Sequence, residues 1–263
     1  MHTPTRPGTP RRPRLLLVGG SGHVGSMIRP YLKSQYDLRV LDVNPPRASD
    51  VEFVQGSLGD PDAVGEALHG CETFINMVML GRQGGRSTDQ SIPLIESNYA
   101  VNTLGLHVLL FTAHGLGIRY GVHTSTMSVH YRERPYYHQE ESTALDSPSV
   151  YGLTKGLGEQ ICSYFARWFD MNLVALRITA PRKREDFLDE RRRREPDFRG
   201  PLFATDEEDL ARAYLSALKV ASIGHGRFDA YFIAGDESEA VHNLTKARRG
   251  LGWAPESQAL LEK

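Results

Sequence analysis

The chain predicts an α/β fold with a doubly wound parallel sheet and a smaller C-terminal lobe. Short apolar runs of strand type alternate with segments of helical period. The first run ends in glycines that open a helix. Parallel strands need crossovers of just this kind, so the alternation implies βαβ units.

"RLLLVGG" (14–20) is an apolar run stopped by glycine, which reads as a buried parallel strand, and "HVGSMIRPYL" (23–32) follows as its helix. "DLRVLD" (37–42) and "VEFVQG" (51–56) are the next strands. "PDAVGEALHG" (61–70) has helical spacing with Pro61 in its first turn. "CETFINMVML" (71–80) is apolar and strand-like. "ESNYAVNTLGLHVLLFTAHG" (96–115) carries apolar residues at Val101, Leu104, Val108, Leu109 and Ala113, and Gly115 is its stop signal. "IRYGVHTST" (118–126) is a strand ending in hydroxyl side chains. "SVYGLTKGLGEQICSYFARWFD" (149–170) keeps a helical stripe at Val150, Leu153, Leu157, Ile161, Phe165 and Trp168, and "NLVALRI" (172–178) is one more strand.

After Arg177 the pattern changes. "APRKREDFLDERRRREPDFRG" (180–200) mixes charges with prolines and reads as a solvated loop or exposed helix. "TDEEDLARAYLSAL" (205–218) returns to helix, and Thr205 with Glu208 three places on predicts a capping box and a start near Asp206. The divisions expected are a loose tail over 1–13, a nucleotide-binding domain over 14–179 and a small substrate lobe over 180–263, packed in part on the first.

The 263 residues are enough to bury a proper core. Lys and Arg total 31 against 32 Asp and Glu, so no global charge favours nucleic acid or an anionic membrane. Two cysteines exclude a disulfide framework, and no His/Cys spacing predicts a metal site. The basic, proline-rich start leads into too few apolar residues for a signal peptide or membrane span, so a cytoplasmic protein is expected.

"VGGSGHVG" sets Gly19, Gly22 and Gly25 as G-x-x-G-x-x-G between a strand and a helix. Glycines there allow a tight turn and close approach of backbone to a pyrophosphate, and the helix N-terminus favours that anion. Asp42 ends the second strand at about the expected spacing of roughly 20 residues, where a carboxylate accepts from ribose hydroxyls. The same carboxylate repels a 2′-phosphate, so NAD is expected over NADP. The sheet is then of the Rossmann type.

Tyr151 and Lys155 form Y-x-x-x-K. In a chain with 11 tyrosines the pattern arises by accident roughly a quarter of a time, so its surroundings must decide. Helical spacing puts the ammonium beside the ring, where positive charge favours phenolate. With the glycine turn, "VNTLGLHVLL", "HTSTMSV", "YGLTK" and "GLGWAP" in order, the chain resembles the extended short-chain dehydrogenase/reductases, the NAD-dependent epimerase/dehydratase family, over roughly residues 14 to 256. The resemblance implies that Tyr151 is the acid/base, that Lys155 lowers its pKa and holds the nicotinamide ribose, and that Thr126, with Ser125 beside it, orients substrate. It also implies a cofactor set of Gly19, Gly22, His23, Val24, Gly25, Asp42, Ser57, Leu58 and Asn102. Ser57 stands in "GSL" where many relatives have "GDL".

The chain's economy is similar to compact uronate dehydrogenases of that family. That likeness aligns Arg199 of "FRG" with a carboxylate-binding arginine and puts Met127 and His130 at the substrate. Gly81, Met127 and Ala180 depart from the polar contacts of that subgroup. A small sugar-like substrate and a homo-oligomer are implied. Gly152, Gly156 and Gly158 point to close packing of their helix, either against a second copy or within the chain. Three activities stay open: a dehydrogenase that releases NADH, an epimerase or dehydratase that keeps NAD as a hydride store, and a non-catalytic dinucleotide sensor.

Overall fold

β1 (Arg14–Val18) is apolar on both faces, with Leu15 to Val18 all buried, as a central parallel strand requires. The computed structural model describes residues 11–47, 50–80, 86–131, 133–192, 203–224 and 226–257. α1 (His23–Leu32) follows the glycine turn, then β2 (Asp37–Asp42), β3 (Glu52–Gln55) and α2 (Pro61–Leu68). Asp60 caps α2, its carboxylate accepting from the N–H groups of Asp62 and Ala63, and Pro61 takes the first turn. β4 is confined to Thr73–Asn76. The apolar run behind it extends further, but the strand stops where Asn76 turns its carboxamide oxygen onto the N–H of Val78.

The helix expected over 96–115 begins earlier and is not uniform. α3 (Ile92–Tyr99) passes into a π-helical stretch at Ala100–Gly105 and then α4 (Leu106–Gly115). Gly105 sits in the stretch because a Cβ there would lie 2.7 Å from that of Leu58. β5 (Tyr120–Thr126), α5 (Val150–Trp168) and β6 (Asn172–Ile178) follow. The charged segment then holds β7 (Pro181–Arg182) and α6 (Arg184–Arg192). β8 (Thr205–Asp206) leads into α7 (Glu207–Ile223), β9 (Phe228–Ile233) and α8 (Thr245–Leu251).

α7 starts where expected, but its cap is Asp206, whose carboxylate accepts from the N–H of Glu208. Thr205 is not the cap. Its hydroxyl is shared between Thr179 and the Ile233 carbonyl, because the chain is still in β8 at that point.

The main sheet runs β3-β2-β1-β4-β5-β6-β9, every pair parallel. Apolar residues pack on both faces: α1 and α7 cover one, and α2, α4 and α5 the other. Strand order reverses between β1 and β4, so a crevice opens at the carboxyl ends of these strands. β9, from the last third of the chain, completes the far edge. No helix among the described residues is long and apolar enough to cross a membrane.

Candidate active site at the carboxyl edge of the sheet

The glycine turn takes its shape from three different constraints. Gly19 has φ +77, and a Cβ there would meet Val78 at 3.0 Å. Gly25 packs so closely on the preceding turn that a Cβ would lie 2.4 Å from the Gly20 carbonyl oxygen. Gly22 is the N-cap of α1 with no side-chain hydrogen bond, and the first turn carries no acidic residue. The N–H groups of that turn therefore keep their positive end for an anion. At the tip of β2 the Asp42 carboxylate accepts from the N–H of Ser21 (3.0 Å) and of Asn44 (3.1 Å), which fixes its oxygens beside the turn.

These features fit a dinucleotide. The N–H groups of His23 and Val24 would hold the pyrophosphate, and Asp42 the adenosine ribose. Val24 is buried beneath the turn, while the His23 ring is exposed and hydrogen-bonds the Pro181 carbonyl. Ser57 is exposed after β3, accepting from the N–H of Gly59, and Leu58 is buried under Gly105.

α5 carries a polar stripe on its buried face: Tyr151, Lys155 and Glu159, one turn apart, then Cys162. Ser149 caps the helix through the N–H of Gly152. Gly152 is required by close approach, since a Cβ would fall 2.0 Å from the Ser128 carbonyl oxygen. A Cβ at Gly158 would press on Leu106 and the Asn102 carbonyl, whereas Gly156 has ordinary room. The first two glycines thus serve packing within the chain.

The Tyr151 phenol lies beside the Thr126 side chain at the tip of β5. Burial pushes the phenol up to about 12, and the nearby Thr126 hydroxyl opposes the rise. Lys155 donates its ammonium to the Thr124 carbonyl (2.5 Å). Burial lowers Lys155 itself to about 8, with Cys162 and Glu159 acting in the other direction.

Ser125 must be separated from Thr126. Strand side chains alternate, so Ser125 faces α5 and donates to Glu159 (2.5 Å), while Thr124 pairs with Tyr214 of α7 (2.6 Å). Glu159 also takes a two-pronged bond from Arg177 of β6, with contacts of 2.6 and 2.9 Å. His130, expected at the substrate, is instead buried in the interior. It is 1% exposed, its Nδ1 donates to the Ala144 carbonyl, and its Nε2 accepts from Arg177. Burial lowers it to about 4, so it is a neutral packing residue held against Tyr137 and Phe232. Met127 is buried beside Thr126 at the start of a 3-10 turn. Arg199 and Gly81 lie outside the described residues.

Asn102, expected at the cofactor, gives its amide protons to Asn98 and to Thr154 of α5, and its carboxamide oxygen has no protein partner. Its contacts position α5. The sequence reading missed His123, buried in β5 behind Lys155. The Asn76 oxygen accepts from Val78, so its Nδ2 donates to His123 Nδ1 and the imidazole proton must sit on Nε2. Burial and the Lys155 charge hold this ring well below the ordinary histidine pKa. The signal available was a lone histidine inside an apolar strand.

The sequence model of the NAD dependent epimerase/dehydratase family matches residues 15–185. The chain belongs to that family. It is therefore an NAD-dependent enzyme of the extended short-chain dehydrogenase/reductase type, a group that includes dehydrogenases and epimerases. Uronate dehydrogenase of Pseudomonas syringae pv. tomato is 27% identical over 222 residues, 81% of this chain and 72% of that protein. A 3 beta-hydroxysteroid dehydrogenase/Delta 5-->4-isomerase of monkeypox virus is 31% identical over 158 residues, 55% of this chain and 44% of that one. A short-chain dehydrogenase/reductase superfamily protein from Agrobacterium tumefaciens, solved with bound NAD, superposes with a TM-score of 0.77 at 21% identity, covering 95% of each chain.

Proposed function

We propose that this enzyme oxidises a hydroxyl-bearing carbon of a sugar or sugar acid, with Tyr151 as the base. The observation that carries the reading is the Tyr151–Thr126 pair at the carboxyl tip of β5, on the sheet edge that also bears the glycine turn and Asp42. Likeness to a uronate dehydrogenase supports the sugar-acid class.

NAD, when bound, supplies the acceptor for the hydride. Thr126 hydrogen-bonds the substrate hydroxyl, and the Tyr151 phenolate takes its proton as the O–H bond breaks. The carbon's C–H bond breaks with its electron pair leaving as hydride, and the oxygen closes a carbonyl. Lys155, one helical turn behind Tyr151, keeps an ammonium near the ring at neutral pH, below its pKa of about 8. Arg199 is proposed as the clamp for a substrate carboxylate. The family's epimerases and dehydratases favour a second reading, in which NAD would be retained and the sugar would leave with no net oxidation.

The test is an NAD-reduction screen over uronates, neutral aldoses, sugar nucleotides and hydroxysteroids, followed at the reduced-nicotinamide band. Stoichiometric NADH with a sugar or uronate is expected, with kcat/KM falling about 10²- to 10⁴-fold in Tyr151→Phe. Arg199→Ala should raise KM for acids alone. A new sugar without net NADH supports the second reading; bound NAD without turnover on any of these compounds removes both.

A further inference from the structure

We propose that His23 and the carbonyl of Pro181 form a clasp across the nucleotide crevice, and that this clasp sets how long NAD stays bound. The two residues are 158 positions apart, and the His23 Nε2 lies 3.1 Å from the Pro181 oxygen. A carbonyl only accepts, so the bond fixes a proton on Nε2. His23 is the first residue of α1, directly after Gly22, and its ring is solvent-exposed. An exposed histidine has no packing reason to hold one rotamer, so the bond to Pro181 orders it.

The other half of the clasp is braced from its own side. The Thr179 hydroxyl donates to the Phe203 carbonyl (2.5 Å), the Ala180 carbonyl accepts from Thr205 (3.3 Å), and Pro181 pairs with Thr205 in β7 and β8. Arg184 then grips Asp206 at 2.6 and 3.0 Å. Ala180, between these anchors, has φ +25, a left-handed value that a side-chain-bearing residue adopts at a cost. The strained turn sets the direction in which the chain leaves β6, and the carbonyl that follows it is the one His23 meets. The segment after β6 therefore reaches the uncapped first turn of α1, where the backbone N–H groups await the pyrophosphate. With the bond made, the dinucleotide is covered on that side; for NADH to leave, the bond opens.

The proposal rests on NAD as the cofactor and not on the substrate reading, so its test contains no sugar. NADH release is measured by stopped-flow fluorescence for the wild type, His23→Phe, His23→Gln and Ala180→Gly, alongside the melting temperature of each apoprotein. A neutral hydrogen bond lost from the closed state predicts about three- to tenfold faster release in His23→Phe. His23→Gln, which restores an N–H donor, should return towards the wild-type rate, and Ala180→Gly, which slackens the turn, should also release faster. Apoprotein melting should be unchanged in both His23 variants. Wild-type release from His23→Phe, or equal acceleration by Phe and Gln, overturns the clasp.

Discussion

Lys155 is a cation held in the interior, with one carbonyl as its hydrogen-bond partner and burial lowering it to about 8. The ordinary lysine value is 10.5, so between pH 8 and 10.5 the unfolded chain carries a proton that the folded chain has lost. Stability from this group rises as pH climbs through that window and is lowest below pH 8, where the site must hold charge. Lys155→Met should therefore unfold at higher denaturant at pH 7, by about 1–3 kcal/mol, while losing nearly all turnover. Chemical denaturation of both proteins at pH 7 and pH 10 checks the sign, since the gap should narrow at the higher pH. Tyr151 supplies a second pH expectation. Burial places its phenol up to about 12, so the base form grows about tenfold per pH unit through the neutral range. Oxidation should rise with pH from 6 to 8 and bend as Lys155 loses its charge, as a kcat/KM profile would record.

At the scale of elements, α5 is the piece that converts the sheet into a site. One buried face presents Tyr151 and Lys155 and anchors them through Glu159 to Arg177 of β6. Glu159→Ala would leave the Arg177 guanidinium buried and uncompensated, a loss of about 3–5 kcal/mol that urea unfolding would report. The elements themselves were largely legible, because α1, β2 and β6 are bounded by glycine, aspartate or a change of period that local chemistry enforces. The π-helical stretch was not, since Ala100–Gly105 depends on Leu58 pressing against Gly105 from another element. β9 carries a mixed run, "FDAYFI", that gave no strand signal by itself; its burial comes from pairing with β6. For the candidate site, the nearness of Tyr151 to Thr126 was legible from motif order. The separation of Ser125 from its neighbours and the burial of His130 depend on Glu159 and Arg177, which no local pattern brings together.

For the whole molecule, α4, the π-helical stretch before it and α5 leave an apolar face outward: Leu104 in that stretch and Phe111 in α4, with Leu153, Leu157, Tyr164 and Trp168 along α5. His107 and Tyr164 link the two rows, with ring centroids 6.1 Å apart. An outward apolar face of this kind can pack on a second copy across a two-fold axis, so a dimer is proposed. Light scattering should give twice the chain mass, and Leu157→Glu with Trp168→Glu should give the monomer. The placement of β9 also bears on biogenesis. Glu140 accepts from the N–H of Phe232, and Arg177 lies over the Phe232 ring, so the web beneath α5 includes residues more than fifty positions downstream of β6. A nascent chain that has emerged only as far as residue 200 has the nucleotide turn and the tyrosine, yet a raw sheet edge. Until β9 is synthesised, that flank of β6 is unsealed, a window in which a chaperone has something to hold.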